Sequence, residues 1–299
     1  MTKVSSVPGK VESDPTFRCG RFTFTLTRPL VMGILNVTPD SFFDGGRFFD
    51  RERALAHAGQ MRDEGADLID IGGESSRPGA LPVSESEELD RVLPLVEALA
   101  GAGCPLAVDT RKPAVMRAAA AAGAAMINDI GALTAPGAIE ACVESGVGVC
   151  LMHMQREPQT MQAAPDYGDV VAEVRAFLEA RAQACLAAGI ARERIAIDPG
   201  FGFGKTLAHN LDLLRSMGVF AATGFPVVAG LSRKSSLGAI TGRGVDERMP
   251  ASVAAALAAV ARGAAIVRVH DVRETVDALR VWHAVEGKVE WEPTLLRAR

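Results

Sequence analysis

The chain has 299 residues, of which 48% are apolar and 23% charged. That apolar share is ample for a buried core and excludes a disordered chain. Thirty-two basic against 36 acidic residues leave a net charge of −4, which argues against a nucleic-acid partner but leaves room for a local anion site.

Residues 1–16 read as a polar, disordered leader without the apolar stretch of a secretory signal. The longest apolar run, Ala251 to Ala261, is too short to span a bilayer, so no membrane is expected as partner. Five cysteines (Cys19, Cys104, Cys142, Cys150, Cys185) lack CxxC spacing; reduced core thiols in a cytoplasmic protein are the expectation.

Phe17 to Thr27 alternates apolar and polar residues around Cys19-Gly20-Arg21, as a short β-hairpin does. Eight apolar runs follow, each trailed by a helical stretch. They are Val31–Leu35, Leu68–Gly72, Pro105–Asp109, Ala124–Asp129, Val147–Met152, Arg194–Asp198, Pro226–Leu231 and Ala264–Val269. Continuous rather than alternating apolarity suits parallel strands covered on both faces. Eight βα units without a second rhythm predict one α/β domain, a (β/α)8 TIM barrel over 17–286 with the hairpin at its bottom and a tail over 287–299. A doubly wound open sheet is the competing architecture.

Chemistry in such barrels sits where the strands end. Those ends read Asn36, Gly72-Gly73-Glu74, Asp109, Asn128-Asp129, His153, Asp198, Ser232-Arg233-Lys234 and Arg268-Val269-His270. Arg268 and His270 are two apart and share a side. With Asn36 and the Ser232–Ser236 turn they form a candidate anion pocket. Asp109 and Asp198, with Asn128 and Lys234, suit a flat heterocycle carrying several N–H donors and a carbonyl. Charge-assisted bonds of roughly 1.5–3 kcal/mol each would orient it.

Two Gly/Pro/Ser-rich loops, Thr38 to Gly46 and Gly73 to Gly79, follow the first two strands and read as lids. The segment from Asp198 to Thr206 ends like a phosphate-binding Gly-Lys-Thr loop, but Pro199 stands where that motif needs glycine. Its evenly placed Gly200, Gly202 and Gly204 instead allow Phe203 and the backbone to approach a ring.

In these segments the sequence resembles the dihydropteroate synthase family. The matching stretches are GILNVTPDSF (Gly33–Phe42), DIGGESSRPGA (Asp70–Ala80), VDT (Val108–Thr110), IND (Ile127–Asp129), LMHMQ (Leu151–Gln155), DPGFGFGK (Asp198–Lys205), SRKS (Ser232–Ser235) and RVHDV (Arg268–Val272). They keep family order from about Phe17 to Val285. The resemblance implies a homodimeric TIM barrel, a sulfonamide target, that condenses hydroxymethyl-dihydropterin diphosphate with para-aminobenzoate, using Mg²⁺, in folate biosynthesis. It implies that Asp109, Asn128, Met152, Asp198, Lys234 and Arg268 bind the pterin. Asn36, Arg77, Arg268 and His270 would bind the diphosphate, with Asn36 near the metal. Phe42, Ser76, Arg77, Pro78, Phe203, Lys234 and Ser235 would line the aminobenzoate site. Asp109, Lys234, Arg268 and His270 would be the catalytic set.

Two departures flank the implied aminobenzoate pocket: Ser76 where many members carry threonine, and Phe43 where some carry a small polar residue. They bear on sulfonamide sensitivity more than on turnover. The alternatives are a pterin-binding methyltransferase-type barrel, a catalytically inactive pterin-binding protein and a phosphate-binding aldolase-type barrel. Structural roles are expected for His57, His209 and His283. His153 is expected either to face the site or to make a structural hydrogen bond. Asp70 and Glu74 are expected to brace the second loop, and Arg233 to be a surface charge or a ligand.

Overall fold

The computed structural model describes residues 15–37, 46–77, 79–287, 291 and 294–296, with side chains of 46–50 left aside. The expectations placed on residues 1–14, Phe42, Phe43, Pro78 and the loop 38–45 lie outside the described residues.

Strands β1 (Thr16–Cys19) and β2 (Phe22–Thr25) form the hairpin. Then come β3 (Leu30–Asn36), α1 (Gly46–Asp63), β4 (Leu68–Gly72), α2 (Glu85–Leu99), β5 (Leu106–Asp109), α3 (Pro113–Ala122), β6 (Met126–Asp129), α4 (Ala138–Ser145), β7 (Gly148–Met152) and α5 (Val170–Ala187). The chain continues with β8 (Ile195–Asp198), α6 (Leu207–Arg215), α7 (Met217–Ala221), β9 (Val228–Ala229), α8 (Ser235–Thr241), α9 (Met249–Val260), β10 (Ile266–Val269), α10 (Val272–Val285) and β11 (Leu295–Leu296).

Strands β3 to β10 pair in parallel in the order β8-β7-β6-β5-β4-β3-β10-β9. A parallel bridge between Ile197 and Val227 joins the two ends, so the sheet closes into the expected barrel. The seventh run gives the shortest strand of the barrel, only two residues, because the chain pairs at Val228 and Ala229 and then turns out into the Ser232 loop. Local chemistry sets helix ends. Ser84 Oγ accepts from Glu87 N at 3.2 Å to start α2, and Pro113 opens α3.

Strand alternation divides the core in two. Val31, Ile69, Val108, Ile127 and Val149 face outward and pack with the helices. Their neighbours Leu30, Met32, Leu68, Ala107, Met126 and Cys150 face inward and form a second cluster with Phe17, Cys19 and Phe24 of the hairpin. The hairpin therefore plugs the amino-terminal mouth of the barrel. Leu295 and Leu296 add a third antiparallel strand beside Phe24 and Thr23, an element within the stretch read only as a tail. All five cysteines are free and buried, as expected of core thiols.

Candidate functional site

The same alternation decides which strand-end residues reach the barrel interior. In β3 the inward parity runs Leu30, Met32, Ile34, Asn36; in β5 it selects Ala107 and Asp109; in β6, Met126 and Asn128. It likewise selects Met152, Asp198, Arg268 and, one step past β10, His270. Asn36 pairs in register with Gly72, Gly72 with Asp109, and Asp109 with Asn128, so these side chains stand at one level at the carboxyl end.

Arg268 is the hub. Its Nε donates to Asp70 Oδ2 at 2.5 Å and its Nη2 to Asp109 Oδ2 at 3.0 Å. Burial disfavours the guanidinium charge, but the Asp70 and Asp109 carboxylates outweigh it and raise its pKa. Burial also pushes the Asp109 carboxyl up to about 7, against the lowering pull of Arg268. Asp198 is raised by burial too, while Lys234 and an N–H bond from Gly200 at 2.7 Å oppose the rise.

Lys234 reaches in from the loop after β9. Its ammonium donates to the Phe201 carbonyl and lies 4.5 Å from the centre of the Phe203 ring. Burial lowers its pKa to about 8, partly offset by Asp198. Phe203 belongs to the segment of evenly spaced glycines, and the reason for that spacing is now visible. Gly200 has φ +73° and a Cβ there would lie 1.9 Å from the His153 carbonyl oxygen; Gly204 has φ +62° and would meet the Gln155 oxygen at 2.7 Å.

His270 brings no charge to the candidate anion pocket. Burial, then the charges of Arg268 and Arg233, lower its pKa to about 4. It is neutral at pH 7, with Nδ1 3.0 Å from Ser232 Oγ, and offers a hydrogen bond rather than a charge. Arg77 is exposed on the second loop within electrostatic reach of His270. Ser76 is half-buried on the same loop, and Ser235 is the exposed first residue of α8. Met152 is buried beside Gly200.

The remaining expectations separate cleanly. His153 is structural: burial and then Lys205 lower its pKa to about 3, and its Nδ1 lies 3.0 Å from Lys205 Nζ. Asp129 points outward, accepting from Gly131 N at 2.6 Å and Leu133 N at 2.7 Å to hold a turn in which Ala132 and Leu133 have positive φ. Glu74 does brace the second loop, through ion pairs with Lys112 and Arg111. Arg233 is not a bare surface charge: it is ion-paired to Asp271. His209 completes a capping box with Thr206 at the start of α6.

Asp70 corrects the reading: it does not brace the loop but lies fully buried beneath Arg268 and Asn128. The signal was available, since Asp70 lies two residues before Gly72 and therefore points inward. The sequence gives no sign of a role for Lys205, which stands near the end of the Gly-rich segment from Asp198 to Thr206. Lys205 is 3% exposed and donates to the carbonyls of His153 and Phe203 at 3.3 and 3.0 Å.

A closed barrel with carboxylates, amides and cations gathered at its carboxyl mouth is the frame of a pterin-binding enzyme, and a family model described as pterin binding enzyme matches residues 32–270. Dihydropteroate synthase of Neisseria meningitidis serogroup B is 52% identical over 276 residues, covering 90% of this chain and 97% of that protein. The structure of Burkholderia cenocepacia dihydropteroate synthase complexed with 7,8-dihydropteroate matches with TM-score 0.84 and 57% identity, over 92% of this chain and 97% of that one. That of Xanthomonas albilineans dihydropteroate synthase with 4-aminobenzoic acid matches with TM-score 0.86 and 54% identity, over 92% and 99%. The chain belongs to the dihydropteroate synthase family.

Proposed function

We propose that the protein joins hydroxymethyl-dihydropterin diphosphate to para-aminobenzoate, giving dihydropteroate and pyrophosphate. The observation that supports this best is the convergence of Asp109, Asn128, Asp198, Lys234 and Arg268 at one mouth of the barrel. A pterin ring offers a row of N–H donors with a carbonyl, and carboxylates beside an amide and a lysine complement that edge.

The reaction breaks the bond between the exocyclic methylene carbon and a diphosphate oxygen, whose electron pair leaves with pyrophosphate. The amine nitrogen of aminobenzoate then bonds that carbon and loses a proton. The order is dissociative: the ring delocalises the positive charge left on the carbon, and the ionised Asp109 carboxylate stabilises it electrostatically. No protein nucleophile is required. Arg268, Arg77, His270 and Asn36 receive the diphosphate, His270 as a neutral hydrogen-bonding partner. Phe203, Lys234, Ser76, Arg77 and Ser235 form the aminobenzoate side, which Phe42 and Pro78 complete by resemblance. By resemblance, the loops after the first two strands hold the amine in line.

Among the described residues no three His, Cys, Asp or Glu side chains form a metal cage. Asn36, whose side-chain oxygen stands at the carboxyl mouth beside Gly72, would offer one protein oxygen to a magnesium ion carried by the diphosphate, a hard cation that takes oxygen ligands. When bound, it neutralises charge on the leaving group. The active form is a homodimer in the cytoplasm; no helix of the described residues is long and apolar enough to cross a membrane.

The test is pyrophosphate release by purified protein with Mg²⁺ and the dihydropterin diphosphate. Release that depends on aminobenzoate and yields dihydropteroate is expected. Tight pterin binding without release would turn the assignment to a methyltransferase-type or inactive pterin-binding protein.

A further inference from the structure

We infer that Asp70 is a positioning residue for pterin recognition: it fixes the Asn128 amide as an acceptor toward the ligand and holds Arg268 in place. The inference rests on the pterin reading above and adds a residue that the family resemblance does not assign.

Asp70 is fully buried in β4, facing into the barrel. Its Oδ2 accepts from Asn128 Nδ2 at 2.9 Å and from Arg268 Nε at 2.5 Å. An ionised carboxylate can only accept. It therefore takes the NH₂ half of the Asn128 amide and turns Oδ1 away from itself. A free amide would present either half to a ligand; this one presents an oxygen. Asp109, Asp198 and Asn128 Oδ1 then make a floor of acceptors, matched to a ring edge of N–H donors.

The same carboxylate holds the guanidinium from below while Asp109 holds it from the side. Nε and Nη2 are thus engaged, and Nη1 has no carboxylate partner among the described residues. Asp70 is more than a buried structural acid. Its second oxygen, Oδ1, is buried with no hydrogen-bond partner among the described residues, a cost that packing alone does not justify.

The experiment compares the unaltered protein, Asp70→Asn, and the swapped pair Asp70→Asn/Asn128→Asp. Calorimetric Kd for 6-hydroxymethylpterin and KM for both substrates are read. Asp70→Asn lets the two amides pair in either sense, so Kd and the pterin KM should rise tenfold or more while the aminobenzoate KM stays within twofold. In the swap, the carboxylate at 128 accepts from the amide at 70 and again offers an oxygen to the pterin. Its Kd should return to within fivefold of the unaltered protein. A Kd for Asp70→Asn within twofold of the unaltered protein, or a swap no better than the single change, would overturn the inference. If Asp70→Asn does not fold, the unaltered protein still decides the matter. Its Asn128 side-chain amide protons, assigned by their loss in Asn128→Ser, should be protected from solvent exchange without ligand, and rapid exchange overturns the proposal. Failure of the unaltered protein to bind 6-hydroxymethylpterin overturns the functional reading as well, which separates the two.

Discussion

Asp109 sets the acid side of the pH profile. With its carboxyl raised by burial to about 7, the group is protonated below that pH and cannot stabilise a developing cation. The rate constant kcat/KM should therefore rise with pH up to about 7 and then level off. Asp109→Asn should remove that limb and lower kcat by 100-fold or more, with pterin affinity changed less than tenfold; equal losses in both would sink the role. Stability carries the opposite sign from that of an ordinary salt-bridged acid. The folded carboxyl keeps its proton up to about 7, whereas the unfolded one releases it near 3.8, so the folded state binds more protons between these values. This group's contribution to stability is greatest at low pH and declines as pH rises through that window. The melting temperature of Asp109→Asn should accordingly fall less between pH 5 and pH 8 than that of the unaltered protein. The identity of Asp109 as an inward carboxylate was legible from alternation alone; its raised pKa was not, because that depends on the closed wall around it.

At the scale of elements, two loops present the site, and each is held by groups away from the substrate. The loop after β8 hangs on Lys205, whose pKa burial lowers to about 7 against the pull of Asp198. Lys205→Met should leave carbonyls of His153 and Phe203 without a donor, costing about 1–3 kcal/mol per stranded group in urea unfolding. The freed Phe203 should also raise the aminobenzoate KM more than the pterin KM. The loop after β9 turns at Arg233, which has φ +57°. Its backbone N–H donates to Ser252 Oγ at 2.9 Å, its carbonyl accepts from Arg248 at 3.1 Å, and its guanidinium pairs with Asp271. Glycine tolerates that backbone and alanine does not, so Arg233→Gly should be more stable than Arg233→Ala by about 1 kcal/mol in denaturant titrations. The sequence placed the strands and the strand-end polar groups, since apolar runs and parity follow from covalent geometry. It misplaced Asp70 and left Lys205 and Arg233 open because each is defined by partners distant in the chain: Asp70 by Arg268, Lys205 by His153, Arg233 by Asp271.

At the scale of the whole molecule, stability and chemistry occupy opposite ends of the barrel. Phe17, Phe24 and Cys19 seal the amino-terminal mouth, and the polar residues occupy the other. Phe24→Ala should cost about 3–5 kcal/mol in urea unfolding yet leave both substrate KM values unchanged, since its neighbours are the innermost apolar layer. A shift in the pterin KM would show that the two ends are mechanically coupled.

The sheet beneath the barrel also joins distant times in the life of the chain. Thr25 is hydrogen-bonded to Thr294, 269 residues later, and β2 is the central strand of three. During synthesis at about 5–20 residues per second, the outer edge of β2 waits roughly 15–50 s for its neighbour to be made. Until then its backbone donors and acceptors stand open as a pairing template for other chains. The base of the nascent protein thus carries an open pairing edge for most of its synthesis, and a holding chaperone that covered β2 there would protect the chain until β11 is made.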